Sequence, residues 1–109
     1  MLKLGATLET GGGLWSREKR EVQVTGLGVR THDEDFGELR VYFTKRSWNI
    51  DKHGLIYTDN KFLKQLKGLL KEKGFAAADV YYSEQGMQGD NYVSLDVGPK
   101  FLRSWHKEA

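Results

Sequence analysis

The sequence predicts a single α+β domain in which an antiparallel sheet is covered on one face by a helix. Three observations support this fold class: several short segments alternate apolar and polar residues, one longer segment has the period of an amphipathic helix, and Gly- or Asp-containing turns separate them. With 109 residues, of which 39% are hydrophobic, the chain has the size and composition of one domain. We expect one domain over residues 1–109, with about four to six strands in the order β-β-β-(β)-α-β-β-α.

The N-terminal half contains three predicted strands. Residues 2–8 alternate regularly and place four apolar side chains on one face, namely Leu2, Leu4, Ala6 and Leu8. A second strand, residues 22–31, changes the phase of its apolar positions around Gly26, which indicates a β-bulge. The acidic turn 32–37 leads into a third strand over residues 39–44, and residues 55–57 form the optional fourth.

The clearest element is a long amphipathic helix over residues 59–73. Its apolar arc contains Phe62, Leu63, Leu66, Leu69 and Leu70, and a separate arc contains Lys61, Lys64, Lys67 and Lys71. Gly74 is suited to end the helix. We expect the apolar arc to pack on the sheet and the lysine arc to face solvent.

Two further strands and a short C-terminal helix complete the prediction. The strands span residues 79–83 and 92–97 and are joined by the loop 84–91. Pro99 is suited to the first position of the closing helix, whose apolar face is formed by Phe101, Leu102 and Trp105.

Composition excludes several kinds of chemistry. The chain has no cysteine, which removes disulfides, thiolate metal sites and cysteine nucleophiles. Its three histidines, at positions 32, 53 and 106, show no metal-ligand spacing, and no phosphate-binding loop or nucleophile motif is found. There is no apolar run near 18 residues and no signal-like start. We expect a cytoplasmic protein without cofactor, metal site, membrane contact or predicted catalytic residue.

The leading functional hypothesis is a non-catalytic interaction domain. Residues 74–98 carry four carboxylates and no Lys or Arg, and the loop inside this segment is longer than a tight hairpin requires. We expect the acidic 79–97 hairpin to contact a protein partner through Glu84, Gln85, Met87, Gln88, Asp90 and Asn91. Because a small sheet has open edges that must be protected or paired, a homodimer is also expected.

Two alternatives remain open at this stage. The first is nucleic-acid binding by contact with the phosphate backbone, through Lys61, Lys64, Lys67 and Lys71, together with Lys45, Arg46 and Trp48. The second is a small enzyme that uses carboxylate and histidine groups for general acid–base catalysis, drawn from Glu84, Asp90, Asp51 and His53. Nothing in the sequence shows that the members of either set converge.

Overall fold

The architecture was obtained as a computed structural model that describes residues 2–10, 20–43, 60–82 and 92–108. Its elements, in chain order, are strands β1 (Leu2–Thr10), β2 (Arg20–Thr31) and β3 (Gly37–Phe43), helix α1 (Asn60–Glu72), a 3₁₀ turn (Ala77–Asp79), strands β4 (Val80–Tyr82) and β5 (Tyr92–Val97), and helix α2 (Pro99–Glu108). The predicted α+β class, with an antiparallel sheet and two helices, is confirmed.

The five described strands form one sheet in the order β1-β2-β3-β5-β4. All neighbouring pairs are antiparallel. Strand β5 lies between β3 and β4, with Leu39 opposite Leu95 and Tyr82 opposite the same Leu95. The C-terminal hairpin is therefore joined to the N-terminal meander by the β3–β5 ladder.

The predicted bulge in β2 is confirmed. The register of β2 against β3 shifts between Val24, which is opposite Phe43, and Gly26, which is opposite Tyr42. Thr25 is the extra residue, and its Oγ1 lies 3.4 Å from the carbonyl oxygen of Tyr42. The bulge lets Val24 and Leu27 both face the core although they are three residues apart.

Both helices pack on the same face of the sheet. In β3 the alternate residues from Gly37 to Phe43 are buried. Phe62 of α1 contacts the Phe43 ring at a centroid distance of 6.1 Å. At the other end of the strand, a Cβ added to Gly37 would lie 2.9 Å from Leu102 of α2, so glycine permits this close approach. The core thus lies between one sheet face and the two helices.

The end of α1 agrees with the prediction, whereas the expected contrast in helix length is not confirmed. Gly74 has a φ of 91°, its N–H donates to the Lys71 carbonyl, and the Phe75 N–H donates to the Leu70 carbonyl. This is the Schellman arrangement that a glycine after a helix allows. Helix α1 has 13 residues and α2 has 10, so the description of one long and one short helix is not confirmed.

Asp79 connects β4 to the start of α2. Its Oδ2 accepts hydrogen bonds from the N–H groups of Lys100 at 2.9 Å and Phe101 at 3.3 Å, and its carbonyl accepts one from Gly98. The carboxylate therefore satisfies N–H groups that the first turn of a helix leaves without partners. A Cβ on Gly98 would overlap this carboxylate, which explains the glycine before Pro99.

Candidate functional site

The outward side of α1 carries the predicted lysine arc. Lys64 and Lys71 are exposed and Lys67 is half-buried, while Phe62, Leu66 and Leu70 are buried on the opposite side of the helix. Lys61 belongs to α1, but its side chain lies outside the described part. The amphipathic period therefore separates the core-facing and cationic sides as the sequence predicts.

Helix α2 adds cations that the sequence analysis did not include. Phe101, Leu102 and Trp105 are buried against the sheet and Phe75. The exposed residues of α2 are Lys100, Arg103, His106 and Lys107, whereas Ser104 Oγ accepts a hydrogen bond from the Ala76 N–H. The spacing of these four exposed residues could be recognised in the sequence, because they occupy positions of the predicted helix other than those of its apolar face. Only the packing shows that this helix shares a face of the sheet with α1.

We call the outward side of α1 and α2, with Lys73, the basic helical layer. Segments 60–73 and 99–108 contain eight Lys and Arg residues and two Glu residues, a net charge of +6. The rest of the chain contains nine Lys and Arg residues and thirteen Asp and Glu residues, a net charge of −4. The total of +2 hides this separation of charge, which creates a local positive potential that a polyanion would experience.

The basic helical layer has no large exposed apolar side chain among its described residues. In the described part of the chain, the exposed large hydrophobic residues are Phe36 and Tyr81. Phe36 lies in the β2–β3 turn, where its ring stacks on His32, and Tyr81 lies on β4. Neither residue belongs to a helix. The layer consequently offers charge without an apolar or aromatic contact surface.

The opposite face of the sheet, which we call the open face, is centred on a hydrogen-bonded network. The Glu38 carboxylate accepts hydrogen bonds from Arg40 Nε at 2.5 Å and from Ser94 Oγ at 2.8 Å. The Arg40 guanidinium lies 4.8 Å from the centre of the Tyr92 ring, and that ring also contacts Tyr42. These groups satisfy one another, and the network explains how Ser94 is buried on the face of the sheet opposite the two described helices.

Burial works to raise the pKa of the Glu38 carboxyl, but the hydrogen bonds from Arg40 and Ser94 outweigh burial and hold that pKa below its usual value of 4.5. Because folding lowers this pKa, the carboxylate stabilises the folded state at pH values above the pKa of the unfolded state. This stabilisation is lost as the pH falls through the pKa of the folded state. We expect Glu38→Gln to lower the free energy of unfolding by about 1 kcal/mol at neutral pH.

Urea denaturation of the wild type and of Glu38→Gln at several pH values measures this effect. The difference between the two proteins should shrink as pH falls below the usual carboxyl pKa. An Asp35→Asn variant in the exposed β2–β3 turn is the control for a lost surface charge. A difference that is independent of pH would contradict the role given to the carboxylate.

Tyr81 is the most exposed aromatic residue of the described chain, at 52% of its full accessible area. It lies on β4, opposite Asp96 of β5, within the predicted 79–97 hairpin. Its hydroxyl donates a hydrogen bond of 2.9 Å to Asp79 Oδ1, and this bond raises the pKa of Tyr81. The ring is thus held in place by its hydroxyl while its faces stay accessible.

Several predicted site residues lie outside the described residues. They are the loop residues Glu84, Gln85, Met87, Gln88, Asp90 and Asn91, the additional nucleic-acid candidates Lys45, Arg46 and Trp48, and the acid–base candidates Asp51 and His53. The structure does describe every residue of the predicted acidic turn 32–37. There Asp33 Oδ1 accepts a hydrogen bond from the Asp35 N–H at 2.8 Å, the local role that favours Asp in turns.

Comparison of the chain with protein-family models, with curated proteins and with solved structures found no match. Among the described residues, no helix has the length and apolar character needed to cross a membrane.

Proposed function

We propose that this protein is a non-catalytic module that binds nucleic acid through the basic helical layer. The observation that carries the proposal is the placement of α1 and α2 on one face of the sheet, because segments 60–73 and 99–108 have a net charge of +6 and the rest of the chain has −4. A phosphate backbone is the extended polyanion that such a surface fits, because its binding is driven by neutralising phosphates with Lys and Arg.

The composition of the layer favours contact with the backbone over recognition of bases. Single strands are usually held by aromatic side chains on which bases stack, whereas the described large aromatic residues of the two helices are buried. Contacts from Lys and Arg to phosphates position a protein on a duplex without reading its sequence. Gln65, which follows Lys64 in α1, uses its amide to bond the backbone of Glu9. We therefore propose double-stranded nucleic acid, bound without sequence preference.

The lack of exposed large apolar side chains among the described residues of the layer also favours nucleic acid over an anionic membrane as the ligand. Helices that bind a membrane surface insert large apolar side chains below the headgroups, and the basic helical layer exposes none among its described residues. Vesicles that contain anionic lipid are nevertheless a necessary control for any binding assay with this protein.

Fluorescence anisotropy with a labelled DNA duplex tests the proposal. At about 50 mM salt we expect measurable binding that weakens steeply at higher salt. Lys64→Glu on α1 and Arg103→Glu on α2 should each weaken binding several-fold and lower the salt slope by about one. Arg30→Glu is the matched control, since Arg30 is exposed on β2, away from the helices.

Three outcomes would contradict the proposal. Absence of binding at about 50 mM salt would remove it. An equal loss in the Arg30→Glu variant would show that net charge alone governs binding and that no surface is selected. Stronger binding to anionic vesicles than to the duplex would assign the basic helical layer to membranes.

A second candidate function is contact with a protein partner through the 79–97 hairpin, which includes the loop 84–91. The observation in its favour is the exposed Tyr81, because tyrosine is enriched where partners bind. A second copy of the chain is the partner that can be tested at once. Light scattering at micromolar concentration should then give a particle of twice the 12.5 kDa chain mass, lowered towards one chain by Tyr81→Ala.

A further inference from the structure

Phe36 and Tyr81, the two exposed large hydrophobic residues of the described chain, lie at the same end of the sheet. Tyr81 is opposite Asp96, and Asp96 is opposite Glu38 on its other side. Residues directly opposite each other share a face of the sheet, and two strand spacings separate Tyr81 from Glu38 by about 10 Å. Phe36 comes two residues before Glu38 in the chain. The two exposed rings therefore lie on either side of Asp96.

Both rings are held in position by other side chains. The Phe36 ring stacks on the His32 ring at a centroid distance of 5.3 Å, and His32 Nε2 lies 3.8 Å from Glu38 Oε2, on the open face. The Tyr81 hydroxyl donates its hydrogen bond to Asp79. Phe36 nevertheless keeps 42% and Tyr81 keeps 52% of its accessible area. A ring that is fixed before binding loses little conformational freedom when a partner covers it.

The segments that carry the two rings are acidic. Segments 32–38 and 74–98 each contain four carboxylates, and neither contains Lys or Arg. The Glu38 carboxylate is paired with Arg40. The Asp96 carboxylate, in contrast, belongs to a half-buried residue and has no hydrogen-bond or ion-pair partner in the described part of the chain. A cation that reaches Asp96 would gain a charge-assisted hydrogen bond without breaking an existing one.

We call His32, Phe36, Tyr81 and Asp96 the aromatic–acidic patch, and we propose that it binds an arginine-containing segment of a partner protein. The flat guanidinium group of an arginine can stack on an aromatic ring and also pair with a carboxylate. The patch offers both kinds of group. Lysine suits it less well, because its ammonium group is a strongly hydrated point charge without a flat surface. The acidic surroundings disfavour a polyanion as the occupant.

The proposal rests on the second candidate function and extends its surface from the 79–97 hairpin to the turn 32–37. It is separate from nucleic-acid binding, because the patch contains no residue of either helix. A second copy of the chain is a poorer occupant than a different protein. Segments 60–73 and 99–108, which form the basic helical layer, contain seven lysines and one arginine.

An NMR titration of the isotope-labelled wild type tests the proposal with a capped hexapeptide in which two glycines separate two arginines. In an extended peptide these arginines are about 10 Å apart, which matches the span of the patch. We expect the amide signals of Phe36, Tyr81 and Asp96 to shift most. The Kd should be about fivefold lower than for the same peptide with lysines. Equal affinity for the two peptides, or no shift at millimolar peptide, would overturn the proposal.

Three substitutions locate the binding. Tyr81→Ala should weaken binding of the arginine peptide about fivefold, and Asp96→Asn should weaken it about threefold. Glu72→Gln removes an exposed carboxylate of α1 and is the matched control, which should bind as the wild type does. An equal loss in Glu72→Gln would show that net charge alone governs binding and would overturn the proposal.

Two further measurements separate this proposal from the proposed functions. Arg103→Glu, which should weaken nucleic-acid binding, should not weaken binding of the arginine peptide, so either function can fail while the other stands. Sedimentation velocity of the protein without peptide should show no association that depends on the patch. Association that Tyr81→Ala abolishes would make a second copy the occupant. That result would support the second candidate function and overturn the arginine-containing partner.

Discussion

Leu66→Ala is expected to lower the free energy of unfolding by about 2–5 kcal/mol, through lost burial and the cavity left behind. Leu66 has no accessible surface and lies on the buried side of α1, one turn from Phe62 and from Leu70. That side of the helix packs on the sheet, so neighbouring residues cannot close the gap without moving a strand or the helix. The loss should be evident in thermal and urea denaturation, because a domain of this size has a total stability of about 5–15 kcal/mol.

Lys64→Ala is the matched control in the same helix. Lys64 is exposed, and we expect a change within about 0.5 kcal/mol, as for most surface substitutions. If Lys64→Ala were destabilised and Leu66→Ala melted with the wild type, α1 would face the other way, and the basic helical layer would not exist.

Phe101→Ala is expected to have an effect at least as large, about 3–5 kcal/mol. Phe101 is fully buried at the first turn of α2, and its ring lies 5.9 Å from that of Phe75 and 6.2 Å from that of Trp105. Removing the ring creates a cavity, breaks the contact with Phe75 that holds α2 to the segment after α1, and breaks the contact with Trp105 within α2.

Urea denaturation followed by Trp fluorescence and by far-ultraviolet circular dichroism measures the loss in Phe101→Ala. Arg103→Ala, which changes an exposed residue of the same helix, should stay within about 0.5 kcal/mol. If α2 melted separately and before the sheet in the wild type, the helix would be a weakly attached appendage, and Phe101→Ala would leave the main transition unchanged.

The two halves of the basic helical layer differ in how far the sequence could predict them. The lysine arc of α1 follows from a single helical period, so Lys64 and Lys71 were assigned to the exposed side before the fold was known. Arg103 and Lys107 have the same kind of spacing in α2. Nothing local, however, indicates that two helices separated by a β-hairpin lie on the same face of the sheet.

The open face was missed for a related reason. Glu38 and Arg40 are two residues apart on β3 and were not among the predicted site residues. Their network depends on Tyr92 and Ser94, which reach them through the β3–β5 ladder. A pairing between strands whose partner residues are 50 to 60 positions apart leaves no periodic signal in either strand.

The sequence by itself determined the features that depend on neighbouring residues. The period-2 strands, the 3.6-residue period of α1, the bulge near Gly26 and the helix end at Gly74 all follow from backbone geometry and burial within one segment. The tertiary structure alone decided the strand order, the capping of α2 by Asp79 and the two hydrogen bonds between the Gln65 amide and the backbone of Glu9, 56 positions away. Each of these is a contact between distant segments, selected by the packing of the whole core and therefore invisible in any local pattern.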